Sequence, residues 1–364
     1  MKLQWWTIYI LIFANALFFS FVFTPLSEFL GKKYGLLDVP KKNKIHAKVK
    51  ARSGGVGIFL SFMITIIAGS CIGLWLYRSD GVLHESVSGL IGNIPAVSSK
   101  LLWLLVGATF IFIVGLIDDR FTLSPWPKLI CQLLSAVPLL IADIRIQMFL
   151  PEWMGIALTV FWIVLLSNSF NFLDNMDGLT SGIAVIVSGV SAFIAWQAGN
   201  LFITAMFIAF AGSIIGFWYF NFIRSRLFMG DGGSLFIGYM IAALTIQSTY
   251  YKQGVPTGLP VLTPLIILGV PLFDTASVLL IRLKNRKPLM QGDTNHFSHR
   301  LVNLGMTRKQ AVIFIYLVTV CVAVSAVPLG YLPLKPALVM TGQVVLWFIL
   351  IFLLEHTGRK NNDN

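Results

Sequence analysis

The chain has 364 residues, of which 57% are hydrophobic and only 12% charged, against about 25% charged in a soluble domain. With a mean hydropathy of +0.82, this excludes a water-soluble globular fold and implies an all-α, polytopic membrane protein. The net charge of +12 raises nucleic acid as a partner, and the distribution of the cations decides that point. The three cysteines, Cys71, Cys131 and Cys321, fall far apart inside apolar runs. They show no disulfide or metal-ligand spacing and read as small buried apolar residues.

At about 20 residues per span, the apolar runs predict eleven helices. They lie near 5–30, 54–76, 100–117, 129–149, 153–173, 179–197, 201–222, 233–250, 260–283, 310–330 and 335–355. The first run, Trp5 to Phe23, is too long for a cleaved signal peptide and reads as a permanent span. The fourth is the weakest, because Asp143 and Arg145 interrupt it, so the count is ten or eleven. With the N-terminus outside, the inner segments hold 21 of the 27 Lys and Arg. That asymmetry sets the orientation and explains the basic charge without nucleic acid. Residues 1–364 read as one integral-membrane domain, with the polar motifs between about 35 and 310.

Acids gather at the predicted inner ends. Asp118-Asp119-Arg120 ends the third span. Adjacent helical residues point about 100° apart, so one carboxylate can face a metal or nucleophile while the other orients a Lys or Arg. After the apolar run Ile156 to Leu166 of the fifth span come Asn168, Asn171, Asp174 and Asp177, three residues apart. They form a polar ridge at the edge of hydrocarbon, where such groups are costly unless used, and Gly178 then allows a turn. Phe228-Met-Gly-Asp231-Gly-Gly-Ser234 precedes the eighth span. A glycine-rich turn before a helix exposes backbone N–H groups to phosphate, Asp231 can hold Mg²⁺, and Phe228 can stack on a base.

In the segment from Arg282 to Lys309, a short helix capped by Asp293 would place His296 and His299 on one face with Arg300 beside them, a set suited to phosphate or sugar hydroxyls. Zinc fits poorly, with no Cys or third His nearby. Thr307 to Gln310 reads as a capping box opening the tenth helix. Asp274, inside the ninth run, is either functional or the structural partner of a cation. The basic first loop, from Gly35 through Asp38 and His46 to Gly55, suits anionic lipid headgroups as well as substrate. His84 and His356 stand alone.

Taken together, these motifs resemble the polyprenyl-phosphate N-acetylhexosamine-1-phosphate transferases of glycosyltransferase family 4. Five ordered motifs over about 275 residues carry the resemblance. Lys128, nine residues beyond Asp119, belongs to the second of them. The resemblance implies transfer of a sugar-1-phosphate, GlcNAc-1-phosphate foremost, from a UDP-N-acetylhexosamine to a polyprenyl phosphate such as undecaprenyl phosphate. UMP leaves, and the product initiates a cell-surface polysaccharide. It further implies Mg²⁺ (Mn²⁺ as a substitute) held by Asn171 and Asp231, and uracil stacked on Phe228. Asp118, Asp119 and Lys128 would engage the lipid phosphate, and Asp174 and Asp177 are the acids required for activity. His296, His299 and Arg300 would handle the pyrophosphate and sugar, with Asn168, His46 and Asp38 among the substrate-binding positions. A phosphate monoester is largely ionised at neutral pH, so Asp118 is expected to orient rather than deprotonate.

The expected location is the bacterial cytoplasmic membrane, with the active site at its inner face among membrane lipids. A homodimer is compatible with the resemblance. His-Phe-Ser-His replaces the three consecutive His of the muramyl-pentapeptide branch, which becomes the alternative. A transporter of an anionic substrate is the rival from another class, but the polar motifs cluster at helix ends rather than at mid-membrane.

Overall fold

A computed structural model describes residues 5–38, 49–78, 94–147, 151–248, 262–286, 288 and 295–362. His46, His84 and Asp293 lie outside that set. The chain is a polytopic all-α membrane protein. Each of the eleven apolar runs forms helix among the described residues, and eight are long and apolar enough to span a membrane: Trp5–Lys33, Gly54–Trp75, Val97–Phe121, Glu152–Leu173, Leu179–Gln197, Leu201–Ile223, Arg308–Gly330 and Leu334–Glu355.

The helices in chain order are α1 (Trp5–Lys33), α2 (Gly54–Arg78), α3 (Ile94–Phe121), α4 (Pro125–Ser135), α5 (Val137–Ile141), α6 (Glu152–Leu173), α7 (Leu179–Gln197), α8 (Leu201–Trp218), α9 (Gly230–Gln247), α10 (Thr263–Ile267), α11 (Gly269–Lys284), α12 (Phe297–Asn303), α13 (Arg308–Val324) and α14 (Leu334–Asn362). Two short strands, β1 (Leu37–Asp38) and β2 (Lys50–Ala51), pair antiparallel.

Among the described residues, three of the predicted spans do not combine that length with that hydropathy. The fourth is broken: α4 stops at Ser135, Pro138 sits in the first turn of α5, and Asp143 takes φ 55 just beyond it. Proline is tolerated in a first turn but not within a continuing helix. The ninth is likewise divided, into α10 and α11, with Leu268 non-helical between them. The eighth, α9, is 18 residues long and opens on Gly-Asp-Gly-Gly.

Two compact units result. The first comprises Met1–Asn168 and Ala205–Gln247, the second Ser169–Thr204 and Ser248–Asn364. In the first, α1 packs on α2, and α9 on α2 and α3. Its centre is aromatic: Phe59 stacks on Phe112 at 3.9 Å between centroids, and Phe236 meets Phe59, Phe62 and Phe210 edge-on at 5.3–5.9 Å. Where lipid offers no hydrophobic drive between helices, such packing is what associates them. In the second unit, α7, α11 and α12 pack on α13. The Gly182 backbone lies against the Tyr316 ring, and the Tyr316 hydroxyl donates to the Gly178 carbonyl.

Two local expectations hold. Thr307 and Gln310 form the reciprocal capping box of α13, and Gly178 takes φ +85 before α7. One does not: Cys71 and Cys321 are exposed and only Cys131 is half-buried. Their helices present those faces outward, where a small apolar thiol is as compatible with lipid as with a core.

Candidate active site

The first unit assembles an acid–lysine cluster at one end of α3, α4 and α9. Asp118 and Asp119 close α3, and the angular offset of neighbouring helical residues sends them to different partners. Asp118 accepts the Leu123 N–H at 2.7 Å, and its other oxygen lies 2.6 Å from Lys128 Nζ. Lys128, in the first turn of α4, also reaches Asp231 Oδ2 at 2.9 Å. The ammonium thus joins two carboxylates, one buried and one 36% exposed. Asp119 takes the Asp231 N–H at 2.9 Å and the Gly232 N–H at 3.0 Å, one on each oxygen. It caps the N-terminus of α9 from another helix, satisfying donors that a helix start leaves open and opposing the positive end of its dipole. The sequence reading, in which this glycine turn exposes its N–H groups to phosphate, is therefore corrected: Asp119 holds two of them.

Close approach makes this possible. A Cβ on Gly115 would stand 2.5 Å from Gly232 Cα, and one on Gly55 would stand 2.3 Å from the Gly233 nitrogen. Both positions admit only hydrogen.

Phe228 precedes this turn. Its N–H donates to the Ala51 carbonyl at 2.8 Å and its carbonyl accepts the Gly54 N–H at 3.0 Å, so the strand Lys50–Ala51 fixes the ring's backbone. Lys50 Nζ stands 4.5 Å from the ring centroid and donates to Ser225 Oγ at 2.8 Å. Asp38 is buried and pairs with Arg52 at 3.2 Å. Asn168 forms a reciprocal amide pair with Gln132, at 2.6 and 3.2 Å, and also donates to the Val164 carbonyl. Both ends of that amide serve helix packing. Nothing in the sequence pointed to Gln132.

The second unit holds the remaining predicted residues. Asn171 is the third-last residue of α6, but Asp174 and Asp177 lie in the turn that follows. The polar ridge is therefore helical only for Asn168 and Asn171. Asn175, beside them, accepts Ser298 Oγ–H at 2.7 Å. His296, rather than Asp293, stands at the N-cap of α12 with extended backbone, His299 lies in its first turn, and their rings are 6.5 Å apart. Burial holds the His299 imidazole below its ordinary pKa, with repulsion from His296 and Arg308 adding and Asp274 opposing. Arg300 is hydrogen-bonded within this unit. It is 4% exposed, its Nε donates to Glu355 at 3.0 Å, and its Nη1 donates to Ser277 and the Asn295 carbonyl. An arginine so engaged ties α12 to α14. Glu355, in the last predicted span, carried no signal for this role.

Among the described residues no three His, Cys, Asp or Glu side chains gather as a metal cage. Asp231, 36% exposed, offers a single carboxylate, since the Leu123 N–H and Lys128 hold both oxygens of Asp118. That fits Mg²⁺, which takes one or two carboxylates and completes its shell with water and substrate phosphates.

The model of glycosyl transferase family 4 matches residues 101–249. Over 352 residues the chain is 31% identical to the probable undecaprenyl-phosphate N-acetylglucosaminyl 1-phosphate transferase of Bacillus subtilis (strain 168), covering 93% of this chain and 89% of that one. The chain belongs to glycosyl transferase family 4. Further relatives include the decaprenyl-phosphate N-acetylglucosaminephosphotransferase of Mycobacterium leprae (26% over 360 residues, 91% and 86% covered). Another is the undecaprenyl-phosphate alpha-N-acetylglucosaminyl 1-phosphate transferase of Salmonella typhi (28% over 359 residues, 93% and 89%). The stretch matched by the family 4 model contains Asp118, Asp119, Lys128, Asn171, Asp174, Asp177, Phe228 and Asp231.

Proposed function

We propose that the chain transfers GlcNAc-1-phosphate from UDP-GlcNAc to a polyprenyl phosphate, undecaprenyl phosphate in particular. UMP leaves, in a Mg²⁺-dependent reaction at the cytoplasmic face of the bacterial inner membrane. The observation that carries this is the near full-length similarity to relatives named for N-acetylglucosamine-phosphate transfer to such lipids. Those names favour GlcNAc over the muramyl-pentapeptide alternative.

The chemistry follows from the acid–lysine cluster. A lipid phosphate oxygen attacks the β-phosphorus of the UDP-sugar, and positioning with electrostatic stabilisation supplies the catalysis. Asp231 would hold Mg²⁺; Asn171 is assigned to the same ion on the motif match alone. When bound, the ion neutralises the diphosphate oxygens and eases departure of UMP. Lys128 supplies a fixed positive charge between the two carboxylates and holds Asp118 to its task of orientation. Asp119 fixes the main chain that carries Asp231, and Phe228 offers its face to the uracil. Asp174, Asp177 and His299 stand on the motif match alone.

A panel of UDP-sugars with undecaprenyl phosphate in detergent tests the assignment. UMP release is expected from UDP-GlcNAc and not from UDP-MurNAc-pentapeptide. Release only from the latter would move the chain to the peptidoglycan branch.

A further inference from the structure

Among its described residues the second unit buries two carboxylates that the proposed chemistry does not use, Glu355, paired with Arg300, and Asp274. Asp274 lies on α11 and is 1% exposed. A carboxylate so placed is costly unless its oxygens are engaged. Both are. Oδ1 accepts the main-chain N–H of Phe297 at 2.6 Å, and Oδ2 lies 2.9 Å from Nδ1 of His296. Among the described residues no Lys or Arg pairs with it: the adjacent Arg300 is bound to Glu355. Its charge partner is therefore a histidine from a segment 22 residues away, rather than a cation across the bundle.

With the Phe297 N–H already donating to Oδ1, the contact between Oδ2 and Nδ1 makes a hydrogen bond with a carboxylate acceptor when Nδ1 carries the ring proton. That leaves Nε2 as the ring nitrogen open to chemistry. The ring is confined further by Phe172, with centroids 6.0 Å apart, and by His299 at 6.5 Å. The bond from Phe297 N–H fastens the main chain on the other side of the same residue pair.

We propose that Asp274 is a positioning residue for His296: it holds the imidazole in the Nδ1-protonated form and directs Nε2 to the transfer reaction. The proposal rests on the reading that His296 serves phosphosugar transfer.

Asp274→Asn separates this role from a merely structural one. The amide oxygen still accepts the Phe297 N–H, but the atom facing Nδ1 becomes a donor, which drives the ring proton to Nε2. A wrong-tautomer change of this kind costs on the order of 10²–10⁴ in kcat. We expect such a loss with KM changed little and the thermal midpoint nearly retained. In a His296→Ala background, Asp274→Asn should change the residual rate by no more than about threefold, because residues acting as a unit are non-additive. If the two losses multiply instead, or if His296→Ala turns over like the wild type, the proposal is overturned.

Side-chain ¹⁵N NMR of histidine-labelled full-length protein in detergent gives a second readout that needs no activity. The His296 signal, identified by its loss in His296→Gln, should report a protonated Nδ1. An Nε2–H tautomer overturns the lock. Absence of UMP release by the wild type with every UDP-sugar would sink the transferase reading, while the NMR arm still decides whether Asp274 sets the state of His296.

Discussion

Lys128→Met is expected to lower turnover by at least about 10²–10³-fold, the scale on which a preorganised charge-stabilising group acts. The ammonium is 16% exposed and lies within 2.9 Å of both the Asp118 and Asp231 carboxylates. Methionine keeps the apolar stem but leaves two carboxylates facing each other with no cation between them. Breaking a buried pair by deleting one partner costs about 3–5 kcal/mol, and the exposure of Asp231 places the stability loss at the lower end of that range. Lys128→Arg, which keeps the charge but spreads it over a planar fork, should restore stability before it restores rate. Rates from purified variants, read beside their thermal midpoints, check both statements. Wild-type turnover by Lys128→Met with an unchanged midpoint would remove this lysine from the site.

Gly115→Ala should be nearly as damaging, although it carries no functional group. The added methyl would meet backbone atoms of Asp231 and Gly232 at 2.5–2.6 Å, and backbone cannot rotate aside as a side chain can. Overpacking of this kind costs about 1–3 kcal/mol. The larger effect is displacement of the Asp231 turn from Asp119 and Lys128, because a shift near 1 Å at a reacting centre costs about 10²-fold in rate. Gly69→Ala provides the control, since a Cβ there meets nothing within 4 Å. The expected result is a large fall in kcat for Gly115→Ala and none for Gly69→Ala. Equal activity in the two variants would show that the turn tolerates the shift.

The helices were legible because runs of about 20 apolar residues leave the backbone few other ways to satisfy itself in lipid. Thr307 and Gly178 were legible for local reasons, a capping box and a left-handed turn. The acid–lysine cluster was legible as a set of residues but not as a set of pairs. That Asp119 would cap α9, rather than leave its N–H groups open, depends on how closely α3 approaches Gly232, and spacing along the chain carries no record of that distance. The Gln132–Asn168 amide pair and the Arg300–Glu355 ion pair were invisible for the same reason: each joins residues 36 or 55 positions apart. Asp274 stood out as an acid in an apolar run, but its partner had to be seen. Asp174, Asp177 and His296 were read as helical and lie beyond helix ends.

The central claim is that phosphorus moves with the sugar. UDP-GlcNAc carrying ³²P in its β-phosphate, incubated with the protein, undecaprenyl phosphate and Mg²⁺, tests it directly. The label is expected in the lipid extract with UMP as the nucleotide product, and EDTA is expected to abolish both. Label retained in water-soluble UDP, with unlabelled sugar on the lipid, would contradict the account.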